Sequence, residues 1–287
     1  MAIVTIVLSG GCRAIRRIKG DQRAISARRL SGAGFAAMHD GDWEHAESLF
    51  AEALDVSGTD DRATWGLAEA CWNRGQCEEA IRHLEHAVEL SAGDPAMVRR
   101  LGRWYLESGR FDLADRHSRW ALAQGRGDSA NWTLRGDYLS AVERPEEALA
   151  AYHQALAIYP DDLPAKIATA EIYQGQRRYG RMLAAVESIR DSVGSDAVPG
   201  RVDRLRGQAM RNMGRPDEAE RSFRTAVRKD VDDHLAMLEL AELSLESGRP
   251  DLAADWSRRA RAAGGEPVGE VADRLDRRIA AATAMRR

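Results

Sequence analysis

Cys71, Cys77, His83 and His86 lie close together in the sequence and are the residue types that bind zinc. A structural zinc site needs four ligands converging on one point and is usually built on a short Cys-x-x-Cys knuckle, which this cluster lacks. The helical spacing places Cys71 inside one helix, Cys77 in a turn, and His83 and His86 on the next helix, so the four side chains are expected to diverge. We read them as one core cysteine plus surface residues, with no metal site. A Cys71–Cys77 disulfide needs Cα atoms about 5.5 Å apart, and the sequence leaves that pairing open. His39, His45, His117, His153 and His234 do not cluster with a nucleophile or with paired carboxylates. The glycines form neither G-x-G-x-x-G nor a Walker phosphate loop. No catalytic residue and no cofactor is expected.

The N-terminus offers a different chemistry. Residues 2–8 form a short apolar run, and Leu8-Ser9-Gly10-Gly11-Cys12 puts small residues directly before a cysteine. That arrangement resembles the end of a bacterial lipoprotein signal, which implies a lipid on Cys12 and a place in the cell envelope. Leu8 stands four residues before Cys12 rather than three, and no basic residue precedes the apolar run; a start codon placed too far downstream would account for the latter. With a lipid, Arg13, Arg16, Arg17 and Lys19 would lie at the membrane surface, each favouring anionic head groups by roughly 1 kcal/mol. The other reading is a frayed end with an unmodified cysteine, leading into a solvated helical turn.

Composition bounds what can position such residues. The chain is 44% hydrophobic and 30% charged with net charge −3, which suits a globular helical protein and gives no general case for nucleic-acid binding. No apolar run approaches the roughly 18 residues that span a membrane. Lysine occurs only at Lys19, Lys166 and Lys229; a coding bias explains the arginine excess as well as any chemistry does.

The organising signal is a period. Ala46, Ala80, Ala114 and Ala148 are 34 residues apart, and Met182, Ala219 and Ala253 continue the series. The chain divides into units 27–60, 61–94, 95–128, 129–162, 163–199, 200–233 and 234–267, the fifth carrying three extra residues near 192–199. Gly34, Ala68, Gly102, Gly136, Ala170, Gly207 and Ala241 repeat in phase, as do Phe50, Leu84, Tyr152 and Phe223, and Ala53, Ala87, Ala121, Ala155, Ala226 and Ala260. A fixed small position at this interval marks stacked helix hairpins, each too small to bury its apolar face alone.

These positions resemble the tetratricopeptide repeat family, most fully in unit four with Trp132, Gly136, Ala148, Tyr152, Ala155 and Pro160. The resemblance covers residues 27–267 and implies an all-α fold: a right-handed superhelical solenoid of seven antiparallel helix hairpins. Arg135 and Arg206 stand where the family has Leu, Ser118 and Ser257 replace its bulky residue, and Met182 replaces its first alanine, so local loosening is expected there. Prolines test the register, because one inside a helix costs about 3 kcal/mol. Pro145, Pro216 and Pro250 share the start of the second helix, and Pro95, Pro160, Pro164, Pro199 and Pro267 fall between units. Gly41, Gly75, Gly109, Gly214 and Gly248 share a helix-ending position. Residues 13–26 read as a basic linker or first helical turn. Residues 268–287 read as a capping helix with Val271, Leu275 and Ile279 on one face.

The family resemblance implies that first helices line a concave groove for a partner's peptide or helix. The inward positions are Trp65, Glu69, Trp72 and Asn73; then Arg99, Arg103 and Glu107; then Asp137, Glu171 and Gln174; then Arg204, Gln208, Arg211 and Asn212. Arg99 and Arg103 share a helix face beside two tryptophans, a pairing that suits an acidic segment with an apolar anchor. The alternative is that Arg99 pairs with Glu69 or Glu107. Charge along these positions alternates: basic in unit three, acidic in four and five, basic in six. The Lys/Asn clamp with which one subgroup grips a terminal carboxylate is absent, its positions reading Ser31 and Phe35, Trp65 and Glu69, Arg99 and Arg103, and Thr133 and Asp137. The expected function is a non-enzymatic scaffold for a protein or peptide partner, lipid-anchored in the envelope through Cys12. A soluble cytoplasmic adaptor, or an accessory subunit of an enzyme on another chain, remains the alternative. Oligomeric state is not legible.

Overall fold

The computed structural model describes residues 4–284, with side chains at 22–265 and 268–284. Cys12 and the basic residues that follow it, up to Lys19, lie outside the described side chains. The chain forms two compact units, Met1–Arg126 and Gly127–Arg287.

The first unit holds α1 (Val4–His39), α2 (Trp43–Val56), α3 (Asp61–Asn73), α4 (Cys77–Leu90), α5 (Pro95–Glu107) and α6 (Phe111–Gln124). The second holds α7 (Ser129–Ala141), α8 (Pro145–Ile158), α9 (Leu163–Gly175), α10 (Tyr179–Val193), α11 (Gly200–Asn212), α12 (Pro216–Lys229), α13 (His234–Glu246) and α14 (Pro250–Ala284). Odd and even helices pair as antiparallel hairpins. Residues 13–26 belong to α1.

The repeated positions, small in every unit but the fifth, form the hairpin cores. Ala46, Ala80, Ala114, Ala148, Met182, Ala219 and Ala253 are all fully buried, and Phe50, Leu84, Tyr152 and Phe223 fill the space one turn away. Helix starts follow a second rule that repeats as regularly. Asp60, Asp94, Asp128, Asp162 and Asp233 each cap a first helix by accepting backbone N–H bonds, worth about 0.5–2 kcal/mol apiece. Pro199 stands at this position before α11 and supplies no side-chain cap.

Hairpin turns use a left-handed residue, which is glycine at Gly41, Gly75, Gly109, Gly214 and Gly248 but Glu143 and Arg177 in repeats four and five, at φ 58 and φ 55. Each non-glycine residue there costs roughly 1–2 kcal/mol. Exposed ion pairs stitch successive second helices, with Arg178 to Glu146 at 3.3 Å and Arg249 to Glu220 at 2.9 Å; such pairs add about 0–1 kcal/mol each.

At two of the family departures, Arg206 and Ser257, hydrogen bonds stand where the family has apolar contacts. Arg206 donates to Glu187 (2.7 Å) and to Ser222 (2.7 Å), joining α10, α11 and α12. Ser257 donates to Asp276 in the C-terminal segment (2.7 Å).

That segment is the far half of α14, set off by a break at Gly265 (φ 61, ψ −152). Its buried face is Val268, Ala272, Leu275 and Ile279, whereas Val271 is 41% exposed. The apolar face is therefore offset from the one expected: 272, three residues before Leu275, and 268, seven before it, fall on the Ile279 side of the helix, whereas 271 falls on the other side of Leu275. Arg261 clasps it through Asp273 (2.6 Å) and Asp276 (2.8 Å).

Candidate functional site

No group of His, Cys, Asp and Glu among the described residues is placed to hold a metal ion. Cys71 is buried on α3, while Cys77 is exposed as the first residue of α4 rather than in the turn, and both thiols are free. Burial, aided by Glu47 and Glu79, pushes the Cys71 thiol up to about 11, so the nucleophilic thiolate is scarce. We expect iodoacetamide at pH 8 to label Cys77 and to reach Cys71 only after unfolding, read by peptide mass spectrometry.

In each unit the first helices form one face. On the first unit, Trp72 of α3 stacks on Trp104 of α5, with ring centroids 4.5 Å apart and planes within 2°. Trp104 is fully buried and Trp72 partly exposed. Trp65 donates its indole N–H to Glu69 (2.9 Å), and Glu69 takes a two-point contact from Arg100, at 2.8 and 2.7 Å. Arg100 in turn lies over the Trp104 ring at 5.1 Å.

Glu69 is thus held by Arg100, one residue from the Arg99 that the sequence suggested, and this side of the face is locked by two aromatics and a bidentate pair. Asn73 turns back to the Glu69 carbonyl (2.8 Å). Arg103 is partly exposed and has no hydrogen-bond or ion-pair partner among the described residues. Arg99 is also partly exposed and is partnered.

On the second unit, Asp137 accepts from the buried Tyr152 hydroxyl (2.8 Å). Burial first, and the Asp137 carboxylate second, raise that phenol well above its ordinary range. Arg204 donates to Asp233 (3.2 Å), the carboxylate that caps α13. Thr133 does the same for Asp162 (3.0 Å), so this repeat position braces the next helix start. Arg211 meets Glu239 (2.6 Å), Glu242 (2.8 Å) and Glu246 (2.6 Å).

The basic character expected for unit six is therefore cancelled by α13. Gln208 bridges Gln174 (2.8 Å) and Glu239 (3.0 Å), and Glu171 is exposed. Of the residues singled out in the sequence, the fold brings together Trp65, Glu69, Trp72 and Asn73 on one unit, and Glu171, Gln174, Gln208, Arg211 and Asn212 on the other. The missed residues are Arg100 and Trp104, and Glu239, Glu242 and Glu246 on α13.

Two stretches match tetratricopeptide repeat models, residues 61–104 and 204–267. No curated protein matches the sequence. Among solved structures, a tetratricopeptide repeat protein from Parabacteroides merdae is 14% identical, with 88% of this chain and 98% of that one aligned at TM-score 0.68. Pseudomonas aeruginosa pilF is 15% identical over 78% of this chain and 99% of its own, at TM-score 0.62. Yeast Tom70 is 13% identical over 93% of this chain at TM-score 0.67, and only 55% of its own length is aligned. At these identities the structures attest the fold. Repeats of this kind generally mediate protein–protein interaction. The hairpin register, the buried repeated positions and the two matched stretches agree: the chain carries tetratricopeptide repeats at 61–104 and 204–267 and folds as proteins built of such repeats do.

Proposed function

We propose that this chain is a non-enzymatic scaffold that captures a segment of another protein on the first-helix face of its N-terminal unit. The supporting observation is the rigid, partly exposed aromatic surface there. Trp72 rests flat on Trp104 and Trp65 is pinned by Glu69, so both offer area with little rotamer entropy left to lose on binding. Arg103 adds a cation without an internal partner, which suits a carboxylate beside an apolar anchor.

The variant that tests this must spare the fold. Trp72→Ala would uncover the buried Trp104 ring, whereas Trp72→Leu keeps it covered. We expect Trp72→Leu with Arg103→Glu to lose at least about tenfold in partner capture, measured by affinity capture and cross-linking from native cells, with unchanged helicity. Equal capture by variant and wild type would remove the site from this face.

The proposal includes a tether at Cys12, supported by the small residues before it. Intact-mass analysis of the native N-terminus reads this directly: a lipidated Cys12 places the scaffold at the envelope, and a retained Met1 or Ala2 makes it a soluble adaptor.

A further inference from the structure

The hydrogen bonds on the second unit have a direction, and it determines what that face still offers. An ionised carboxylate only accepts, so Gln208 must turn its Nε2 toward Glu239, which it meets at 3.0 Å. The Gln208 carbonyl then faces Gln174, whose Nε2 donates at 2.8 Å. The Asn212 amide gives its Nδ2 to the Gln208 backbone carbonyl at 2.8 Å. The carbonyl oxygens of Gln174 and Asn212 are therefore left without a donor among the described residues.

Both line a cleft of about 390 Å³ whose wall also includes Glu171, exposed and without an ion pair among the described residues. The neighbouring α13 carries three carboxylates, Glu239, Glu242 and Glu246, against the two guanidiniums of Arg211 and Arg278. Acceptors dominate the cleft lining, where Glu171 and Glu239 face a single cation among the described residues, Arg177.

We propose that this cleft binds an extended basic segment of a partner protein, seating a lysine or arginine side chain against Glu171, Gln174 and Asn212. The inference rests on the scaffold reading above and assigns a second contact of opposite charge preference to Arg103. A cationic head supplies the donors that the two amide oxygens and the Glu171 carboxylate lack. Each of the two amides also keeps one N–H, so together they match the donor and acceptor of a peptide group.

The test is selection of a random peptide library displayed on phage against the full chain, followed by fluorescence anisotropy with the selected peptides. Enrichment of lysine and arginine is expected, with affinity falling about fivefold to tenfold in Glu171→Gln and falling with added salt. Arg177→Ala, which removes the competing cation, should tighten the same peptides. Selected peptides that lack basic residues, or whose affinity is indifferent to both substitutions, overturn the assignment. If native capture is lost in Trp72→Leu with Arg103→Glu while basic peptides are not selected, only this second contact fails. If basic peptides bind as expected while native capture ignores that double variant, the first-unit site fails and this cleft stands.

Discussion

Replacing Lys229 by methionine is expected to cost about 3–5 kcal/mol of stability, the loss typical when one partner of a buried charge pair is removed. The measurement is the denaturant midpoint of the full chain. The Lys229 ammonium on α12 meets Asp203 of α11 at 2.7 Å and the carbonyls of Ser195 and Val198 at 2.6 and 3.1 Å. Asp203 is 4% exposed at its side chain, so methionine would strand a buried carboxylate. The two carbonyls lie in the stretch that carries the three extra residues of repeat five. One ammonium thus ties that connection to two helices, at the one internal first helix whose start has no side-chain cap.

The planar guanidinium of arginine cannot point three donors at oxygens gathered around one atom, so Lys229→Arg should also destabilise, by less. Asp203→Asn added to Lys229→Met should recover part of the loss. Hydrogen exchange should speed up at 194–199 in the single variant. An unchanged midpoint with unchanged exchange would show that the ammonium holds nothing there.

That role was hidden in the sequence, where scarce lysine read as coding bias. Lys166 shows the same use, reaching Ser192 at 2.8 Å near the end of α10 and Asp161 at 3.1 Å. The hairpin register, by contrast, was legible, because a close helix crossing favours small side chains and so stamps its period on residue type in every unit but the fifth, which holds the buried Met182. The capping aspartates were equally visible at the ends of the 34-residue units and went unread.

The face itself was legible only as a set of positions. Arg99 and Arg100 are adjacent in sequence yet about 100° apart around the helix, and only the packed structure decides which of them reaches Glu69. The neutralisation of Arg211 likewise depends on three carboxylates from the following repeat, which no motif connects to it. The cap face shifted for a related reason: Val271, Leu275 and Ile279 fit a helical stripe, but Val268 and Ala272 fit the same stripe better.

The second large effect lies at Gly136, where a methyl group would stand 2.4 Å from Tyr152 Cε1. The Tyr152 ring is buried and its hydroxyl is held by Asp137 at 2.8 Å, so it cannot swing away without breaking that bond. Overpacking of this kind costs about 1–3 kcal/mol, while exchanging glycine for alanine in a helix returns about 1 kcal/mol. Gly136→Ala should therefore be mildly destabilising. Gly136→Val, which adds two further carbons and forgoes most of the helix gain, should cost about 3 kcal/mol.

Gly32 is the control, because a methyl group there meets nothing within 4 Å. Gly32→Ala should raise stability by about 0.5–1 kcal/mol. Shrinking the ring should relieve the clash, so Gly136→Val with Tyr152→Leu is expected to lose clearly less than the two single costs combined. Additive losses in equilibrium denaturation would mean that Gly136 is not set by the Tyr152 ring. The repeated small position would then owe its identity to backbone approach alone, and the equivalent contact at Gly207, 2.6 Å from Phe223 Cε1, should behave the same way.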